Sequence, residues 1–150
     1  MDSKKKILII GGDSNIGKSF SSFLKNKKKK FAKTTRRKKN KFFLDLNRTQ
    51  NFKIPKNISA AVIFAYQNNI SFCEENYKKA FKINVTNTSS LIEKFLLKKI
   101  FVLFISTNLV FNNSKKKRFE KTFKKPVTNY GFMKSICEDK IQNFSKINKL

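Results

Sequence analysis

A glycine-containing turn near the start of the chain could bind a phosphate group. Gly11-Gly12-Asp13-Ser14-Asn15-Ile16-Gly17 follows the apolar run at residues 7–10 and comes where a helical pattern begins. The first amides of a helix at such a place can hold the pyrophosphate of a dinucleotide. Gly11 permits the tight turn, and Gly17 allows close packing of helix on strand. The turn therefore predicts a dinucleotide site formed by Gly11, Ser14, Asn15, Ile16 and Gly17.

Two arginines follow the second predicted strand. In dinucleotide-binding α/β units, the end of this strand meets the adenosine ribose, and an acidic residue there selects NAD. Arg36 and Arg37 occupy this position, with no carboxylate nearby. Their guanidinium groups would suit the 2′-phosphate of NADP, and they are equally well explained as two more cations in a basic chain. We expect a cofactor that is NADP or NAD, with NADP favoured.

A tyrosine and a lysine near the end of the chain share one face of a predicted helix. Tyr130 and Lys134 are four residues apart, so their side chains lie on the same side. Thr107 stands 23 residues before the tyrosine, directly after the apolar run at residues 100–105. A tyrosine at the start of an amphipathic helix is often purely structural, so its meaning depends on these neighbours.

Strands and helices alternate along the chain and form the frame for these residues. Strands are predicted at residues 7–10, 31–35, 42–44, 60–65 and 100–105, and helices from residue 15, at about 74–98 and at 130–144. Near-continuous apolar strands that alternate with helices are typical of a parallel sheet covered on both faces. We predict an α/β fold with a doubly wound parallel sheet of at least five strands, in a single domain over residues 1–150.

The composition argues against a metal site and a membrane protein. The chain has no His, and Cys73 and Cys137 have no metal-ligand spacing, so we expect no metal. Two lone cysteines without a signal peptide indicate reduced thiols. The longest apolar run is far shorter than a membrane span. We therefore expect a cytoplasmic protein with no membrane partner.

The net charge of +26 suggests nucleic acid or an anionic surface as a partner. Only four of the 35 basic residues are Arg, however, and nucleic-acid readers favour Arg. The basic runs at residues 27–30, 36–39 and 115–118 fall in predicted loops or at element ends. The abundance of Asn, Ile and Phe fits drift in an A+T-rich genome. We expect no specific nucleic-acid binding, and a basic nucleic-acid-binding protein is the third interpretation of the chain.

Two segments resemble motifs of one enzyme family. Ser106-Thr107-Asn108-Leu109-Val110-Phe111 resembles S-T-D-x-V-F, and the sequence PVTNYGFMK at residues 126–134 resembles P-x-x-x-Y-G-x-[ST]-K. Glu138 matches the glutamate usual four residues after the lysine. These motifs are those of the extended short-chain dehydrogenase/reductases, in the dTDP-4-dehydrorhamnose reductase branch.

The resemblance covers essentially the whole chain in order. The sequences ISFCE at residues 70–74 and NVTNT at residues 84–88 resemble V-D-x-C/A-E and N-V-x-G-T, and Asp45-Leu46 and Phe64-Ala65-Tyr66 also match family segments. Two positions depart from the family pattern. Ser14 replaces the middle glycine of G-x-x-G-x-x-G, and Met133 replaces the usual Ser or Thr.

The resemblance implies a Rossmann-like fold and an NAD(P)-dependent oxidoreductase that reduces the keto group of a nucleotide-sugar. It implies that Tyr130 is the general acid, that Lys134 lowers the tyrosine pKa from about 10, and that Thr107 binds the substrate oxygen. Asn84 would support the active-site helix or a water relay. The implied cofactor contacts also include Asp45, Leu46, Phe64, Ala65, Tyr66, Asn84, Tyr130 and Lys134.

Family members normally carry a second half that grips the nucleotide-sugar, so the resemblance implies a chain truncated before the substrate domain. Activity of the 150 residues alone is then an open question. The alternative is a catalytically incomplete dinucleotide-binding or regulatory subunit. A homodimer or a partner chain that completes the site would fit either interpretation.

Overall fold

The structure is a computed structural model that describes residues 5–37, 42–112 and 117–147. The strands are β1 (Lys6–Ile10), β2 (Phe31–Lys33), β3 (Ile58–Ile63) and β4 (Phe101–Phe104). The α-helices are α1 (Asn15–Asn26), α2 (Ile70–Glu75), α3 (Tyr77–Phe81), α4 (Thr88–Leu97) and α5 (Asn129–Ile147). A π-helical turn covers Lys82–Asn87, and 3-10 turns cover Thr49–Asn51 and Asn108–Val110. Of the predicted basic runs, Lys38, Lys39, Lys115 and Lys116 lie outside the described residues.

The chain forms two compact units. The first contains Met1–Tyr66 and Ser90–Ile105, and the second contains Gln67–Ser89 and Ser106–Leu150. The single domain expected from the length stays a prediction. No helix in the described ranges is long and apolar enough to cross a membrane.

The first unit holds a four-stranded sheet in the order β2-β1-β3-β4, and every strand pair is parallel. Leu8, Ile9 and Ile10 in β1 are completely buried, as expected for a central strand covered on both faces. The chain adds β2 on one side of β1 and β3 on the other. A ligand site is therefore expected at the carboxyl ends of β1 and β3, where the strand order reverses. The predicted parallel α/β fold is confirmed.

The strand predicted at residues 42–44 is wrong, and within the described residues the sheet has four strands where at least five were expected. This segment forms an isolated parallel bridge between Thr35 and Phe43 instead of a strand. Its backbone bonds run from Thr35 N to Phe42 O (3.1 Å) and from Leu44 N to Thr35 O (2.9 Å). The pairing stops there because Asp45 folds back on the next residues, accepting bonds from the backbone and side-chain nitrogens of Asn47, both at 2.9 Å.

The second unit is helical and packs around α5. Its buried cluster contains Cys73, Ala80, Val85 and Met133, with Phe72, Phe81, Tyr130 and Ile136 against it. The helix predicted at about 74–98 is interrupted. It starts earlier, at Ile70, where the Asn69 side chain caps α2 by accepting from Phe72 N at 2.8 Å. It is then broken at Asn76 and at the π-helical turn.

Candidate functional site

The glycine turn lies at the carboxyl end of β1, as predicted. Gly11 has a φ of +89°, a conformation that favours glycine, and its N–H donates to Thr34 Oγ1 at 2.9 Å. A Cβ on Gly11 would come within 2.7 Å of the Ala65 backbone nitrogen. Phe64 N and Ala65 N both donate to Ile10 O, at 2.9 and 3.0 Å. The residues after β3 are thus fixed against the turn.

The Ser14 side chain joins the two ends of the glycine turn by hydrogen bonds. Its hydroxyl donates to Gly11 O (2.8 Å) and accepts from Gly17 N (3.0 Å), so it caps α1. A Cβ on Gly17 would lie 2.3 Å from Gly11 O, which explains glycine there. Asn15 and Ile16 precede the first hydrogen bond within α1, and their amides have no acceptor in the described part of the chain. These two amides fit the phosphate group of a dinucleotide.

A carboxylate reaches the end of β2, where the sequence showed only arginines. Arg36 and Arg37 follow β2 and are exposed, and their contact with a cofactor stays a prediction. Asp13, which belongs to the glycine turn, accepts from Thr35 Oγ1 at 2.5 Å and from Arg36 N at 3.2 Å. The expectation of no carboxylate near the arginines is therefore wrong. The parallel pairing of β1 with β2 brings Asp13 to this point, although it is distant from the arginines in sequence.

Asp45, Leu46 and Tyr66 lie in the same unit. The bonds from Asn47 lower the pKa of Asp45, and the positive charges of Arg48 and Arg36 add to the effect. The Tyr66 ring packs edgewise on Phe104, with 6.2 Å between centroids. The contacts of these three residues with a cofactor stay predictions.

In the second unit, the Thr107 segment lies against the start of α5. A Cβ on Gly131 would come 2.1 Å from Leu109 O, so only glycine permits this approach. Thr107 caps the 3-10 turn Asn108–Val110 by accepting from Leu109 N at 3.3 Å. Since Gly131 follows Tyr130 directly, the predicted Thr107 and Tyr130 belong to segments in contact.

Two side chains fix the first turn of α5. Thr128 Oγ1 accepts from Gly131 N at 3.1 Å. The Glu74 carboxylate accepts from Asn129 N at 2.8 Å and from Asn129 Nδ2 at 2.5 Å. A carboxylate is favourable at a helix N-terminus. Sequence reasoning matched Glu74 to a family segment without assigning it this role.

Burial dominates the electrostatics of Tyr130 and Lys134. Burial raises the pKa of Tyr130, and the Cys73 thiol contributes in the same direction. Burial lowers the pKa of Lys134 from 10.5 to about 8, against the opposing effects of Cys137 and Glu138. The pKa of Tyr130 thus lies above its usual value, where a lowering was expected, and the effect of Lys134 on it stays a prediction. In both side chains the largest effect on the pKa is the removal of the charged form from water.

Asn84 is completely buried in the π-helical turn. Its side chain accepts from Gln67 N (2.8 Å) and donates to Gln67 O (2.9 Å), and its Nδ2 lies 3.6 Å from Met133 Sδ. The Asn84 carbonyl accepts from the Cys137 thiol at 3.1 Å. The contacts with Met133 and Cys137 indicate that Asn84 supports α5. A contact of Asn84 with the cofactor stays a prediction.

An ionic cluster, which the sequence did not reveal, connects the residue before Thr107 to α5. Ser106 Oγ donates to the Glu138 carboxylate on α5. Lys124 pairs with Glu138 Oε2 at 3.2 Å and with Asp139. The pKa of Lys124 is raised, because its bonds and charge pairing with these carboxylates outweigh desolvation. Only the Glu138 match to the family motif hinted at this cluster.

The parallel sheet with a glycine turn where its strand order reverses defines a Rossmann-type α/β protein. The chain belongs to the family described as RmlD substrate binding domain, which matches residues 5–149. No curated protein sequence matches the chain.

Solved structures share this fold. A dTDP-4-dehydrorhamnose reductase from Clostridium acetobutylicum is 25% identical, with a TM-score of 0.78 over 92% of this chain and 49% of that one. MoeE5 in complex with UDP-glucose and NAD is 20% identical, with a TM-score of 0.79 over 93% and 49%. RMD from Pseudomonas aeruginosa complexed with NADPH is 16% identical, with a TM-score of 0.79 over 97% and 51%. The chain spans about half the length of these proteins.

Proposed function

We propose that the chain serves an NAD(P)-dependent oxidoreductase of the dTDP-4-dehydrorhamnose reductase type, which reduces the keto group of a nucleotide-sugar. One contact carries most weight. Leu109 O lies against Gly131 and so joins the Thr107 segment to the helix that carries Tyr130 and Lys134. Family membership and the nucleotide-sugar and NAD held by MoeE5 support the substrate and cofactor class.

The first unit would hold the dinucleotide. The amides of Asn15 and Ile16 would bind its pyrophosphate, and the glycines give the backbone room to approach. Arg36 and Arg37 would interact with a 2′-phosphate, which makes NADPH the favoured cofactor. Asp45, Leu46, Phe64, Ala65 and Tyr66 would complete the cofactor contacts.

The second unit would supply the proton. When bound, the reduced nicotinamide supplies the hydride. Tyr130 would donate its phenolic proton to the keto oxygen, and its raised pKa keeps the phenol protonated at neutral pH. The ammonium of Lys134, one helical turn away, would stabilise the phenolate that remains. The Thr107 hydroxyl would hold the substrate oxygen.

The test compares binding with turnover in the purified chain. NADPH and NADH are titrated first, a dTDP-4-keto-sugar is then added, and absorbance of the reduced nicotinamide is followed. We expect Tyr130→Phe to bind cofactor as the wild type does and to lose at least a hundredfold in turnover, the usual scale of general acid catalysis. Equal turnover in Tyr130→Phe would contradict the proton-donor role.

A second candidate function is a dinucleotide-binding subunit that is not catalytic by itself. It is favoured by the two departures from the family motifs, Ser14 in the glycine turn and Met133 on the helix of Tyr130. Tight NADPH binding without consumption would support it. A homodimer or a partner chain would then complete the site, which sedimentation of the chain with and without cofactor would detect.

A further inference from the structure

Asp13 holds a fixed position at the end of β2. Both of its hydrogen bonds, from the Thr35 hydroxyl and from Arg36 N–H, are made to Oδ2. Arg37 N–H in turn donates to Thr35 Oγ1 at 3.2 Å, which extends the same network. No other described residue donates to Oδ1 of Asp13, so this oxygen is available to a ligand hydroxyl.

The carboxylate is ionised at neutral pH. The Thr35 hydroxyl does most to lower the pKa of Asp13, followed on the same side by Arg36 N–H and the charges of Arg37 and Lys33. The positive charge of Arg37 helps to lower the pKa of Asp13, and that of Arg36 helps to lower the pKa of Asp45. The end of β2 is therefore a mixed surface of cations and carboxylates.

A carboxylate beside the arginines changes the relative affinity for NAD and NADP, compared with a site that contains arginines alone. A carboxylate at the adenosine ribose can accept a bond from the 2′-hydroxyl of NAD. The same carboxylate repels the 2′-phosphate of NADP, which has more negative charge.

We propose that Asp13 sets the cofactor selectivity of this chain, by opposing the 2′-phosphate that Arg36 and Arg37 attract. It does so from the glycine turn, whereas the acidic residue that selects NAD ordinarily ends β2. The chain then binds NADH as well as NADPH, with only a modest preference for NADPH. This inference rests on the proposed binding of a dinucleotide.

The test is the ratio of NADPH to NADH affinity, measured by calorimetry on the full chain. Asp13→Asn keeps an oxygen that accepts from Thr35 and Arg36 N–H and removes the charge. We expect the ratio to rise about fivefold to tenfold, from the loss of one repulsion at short range. Arg36→Ala with Arg37→Ala changes the ratio in the opposite direction.

Two control variants separate this effect from a change of overall charge. Glu93→Gln removes one negative charge from an exposed position on α4, and the ratio should stay as in the wild type. Asp13→Glu keeps the charge and should leave the ratio low. If Asp13→Asn does not fold, Asp13→Ser removes the same charge and keeps a hydroxyl acceptor.

The possible failures are distinct. Binding of both cofactors with the same ratio in Asp13→Asn and the wild type overturns the selectivity role alone. A wild-type chain that binds neither cofactor overturns the proposed function and this inference together.

Discussion

The glycine turn and the start of α5 are both predicted site regions, and they are built in different ways. The turn is closed by bonds among residues close in sequence, with Ser14 joining Gly11 to Gly17. The start of α5 depends on partners far along the chain, namely Leu109 and Glu74. The serine at position 14 is thus accommodated within the turn, although a side chain at Gly11 would still meet the Ala65 backbone. A substitution at α5 must move another segment.

The largest loss in the free energy of unfolding should come from Gly131→Val. Its side chain would collide with Leu109 O and force the Thr107 segment away from α5. We expect a loss of about 3 kcal/mol in the free energy of unfolding, the upper range for overpacked sites. Chemical denaturation measures this loss.

Gly12→Val is the matched change in the turn. A Cβ on Gly12 would come 2.6 Å from Lys33 Cβ, a milder collision than the 2.1 Å approach to Leu109 O at Gly131, and the φ of Gly12 is not positive. We expect a markedly smaller loss than at Gly131. Equal losses would mean that the two regions do not differ as described.

The next effect concerns the pH dependence of stability. The pKa of Lys134 is near 10.5 in the unfolded chain and about 8 in the fold, so between these values the unfolded chain binds more protons. The penalty of burying the charge is complete below pH 8 and is relieved as pH rises toward 10. Relative to Lys134→Met, the wild type should gain about 2–3 kcal/mol between pH 7 and pH 10.

Urea unfolding of the two proteins at several pH values gives this difference. Comparison with Lys134→Met cancels the many other lysines, which titrate in both proteins. A constant difference across the range would show that Lys134 is not buried as an ionisable group.

The smallest effect should come from Ser14→Ala in the turn. The change removes the cap of α1 and leaves Gly17 N–H without its acceptor. We expect a loss of about 1 kcal/mol in the free energy of unfolding. Ser14→Gly, which restores the family motif, should lose less, because glycine is tolerated at a cap. The opposite order of the two variants would argue against a capping role for Ser14.

The sequence predicted best what depends on nearby residues. The apolar runs at residues 7–10 and 100–105 became β1 and β4, and Gly11 to Gly17 formed the expected turn. It failed at residues 42–44, where Asp45 and Asn47 turn the chain after a single bridge.

Contacts between distant residues could not be predicted in the same way. The pairing of β1 with β2 places Asp13 beside Arg36, although the sequence separates them by the whole of α1. The pKa of Tyr130 depends on how far the ring is buried by other helices, which spacing alone does not give. The sequence motif was enough to identify Tyr130, but its pKa is set by the burial of the ring in the folded chain.

The parallel sheet also constrains the order in which the chain can fold during synthesis. β1 lies between β2 and β3, but residues 11–57 must be made before β3 can pair with it. Until then the apolar strand β1 has one edge without its neighbour, and closing so long a loop is slow. Among the four described strands, β1 is therefore synthesised before the others and gains its second neighbour late, so until β3 emerges it is open to wrong pairing and to chaperone binding.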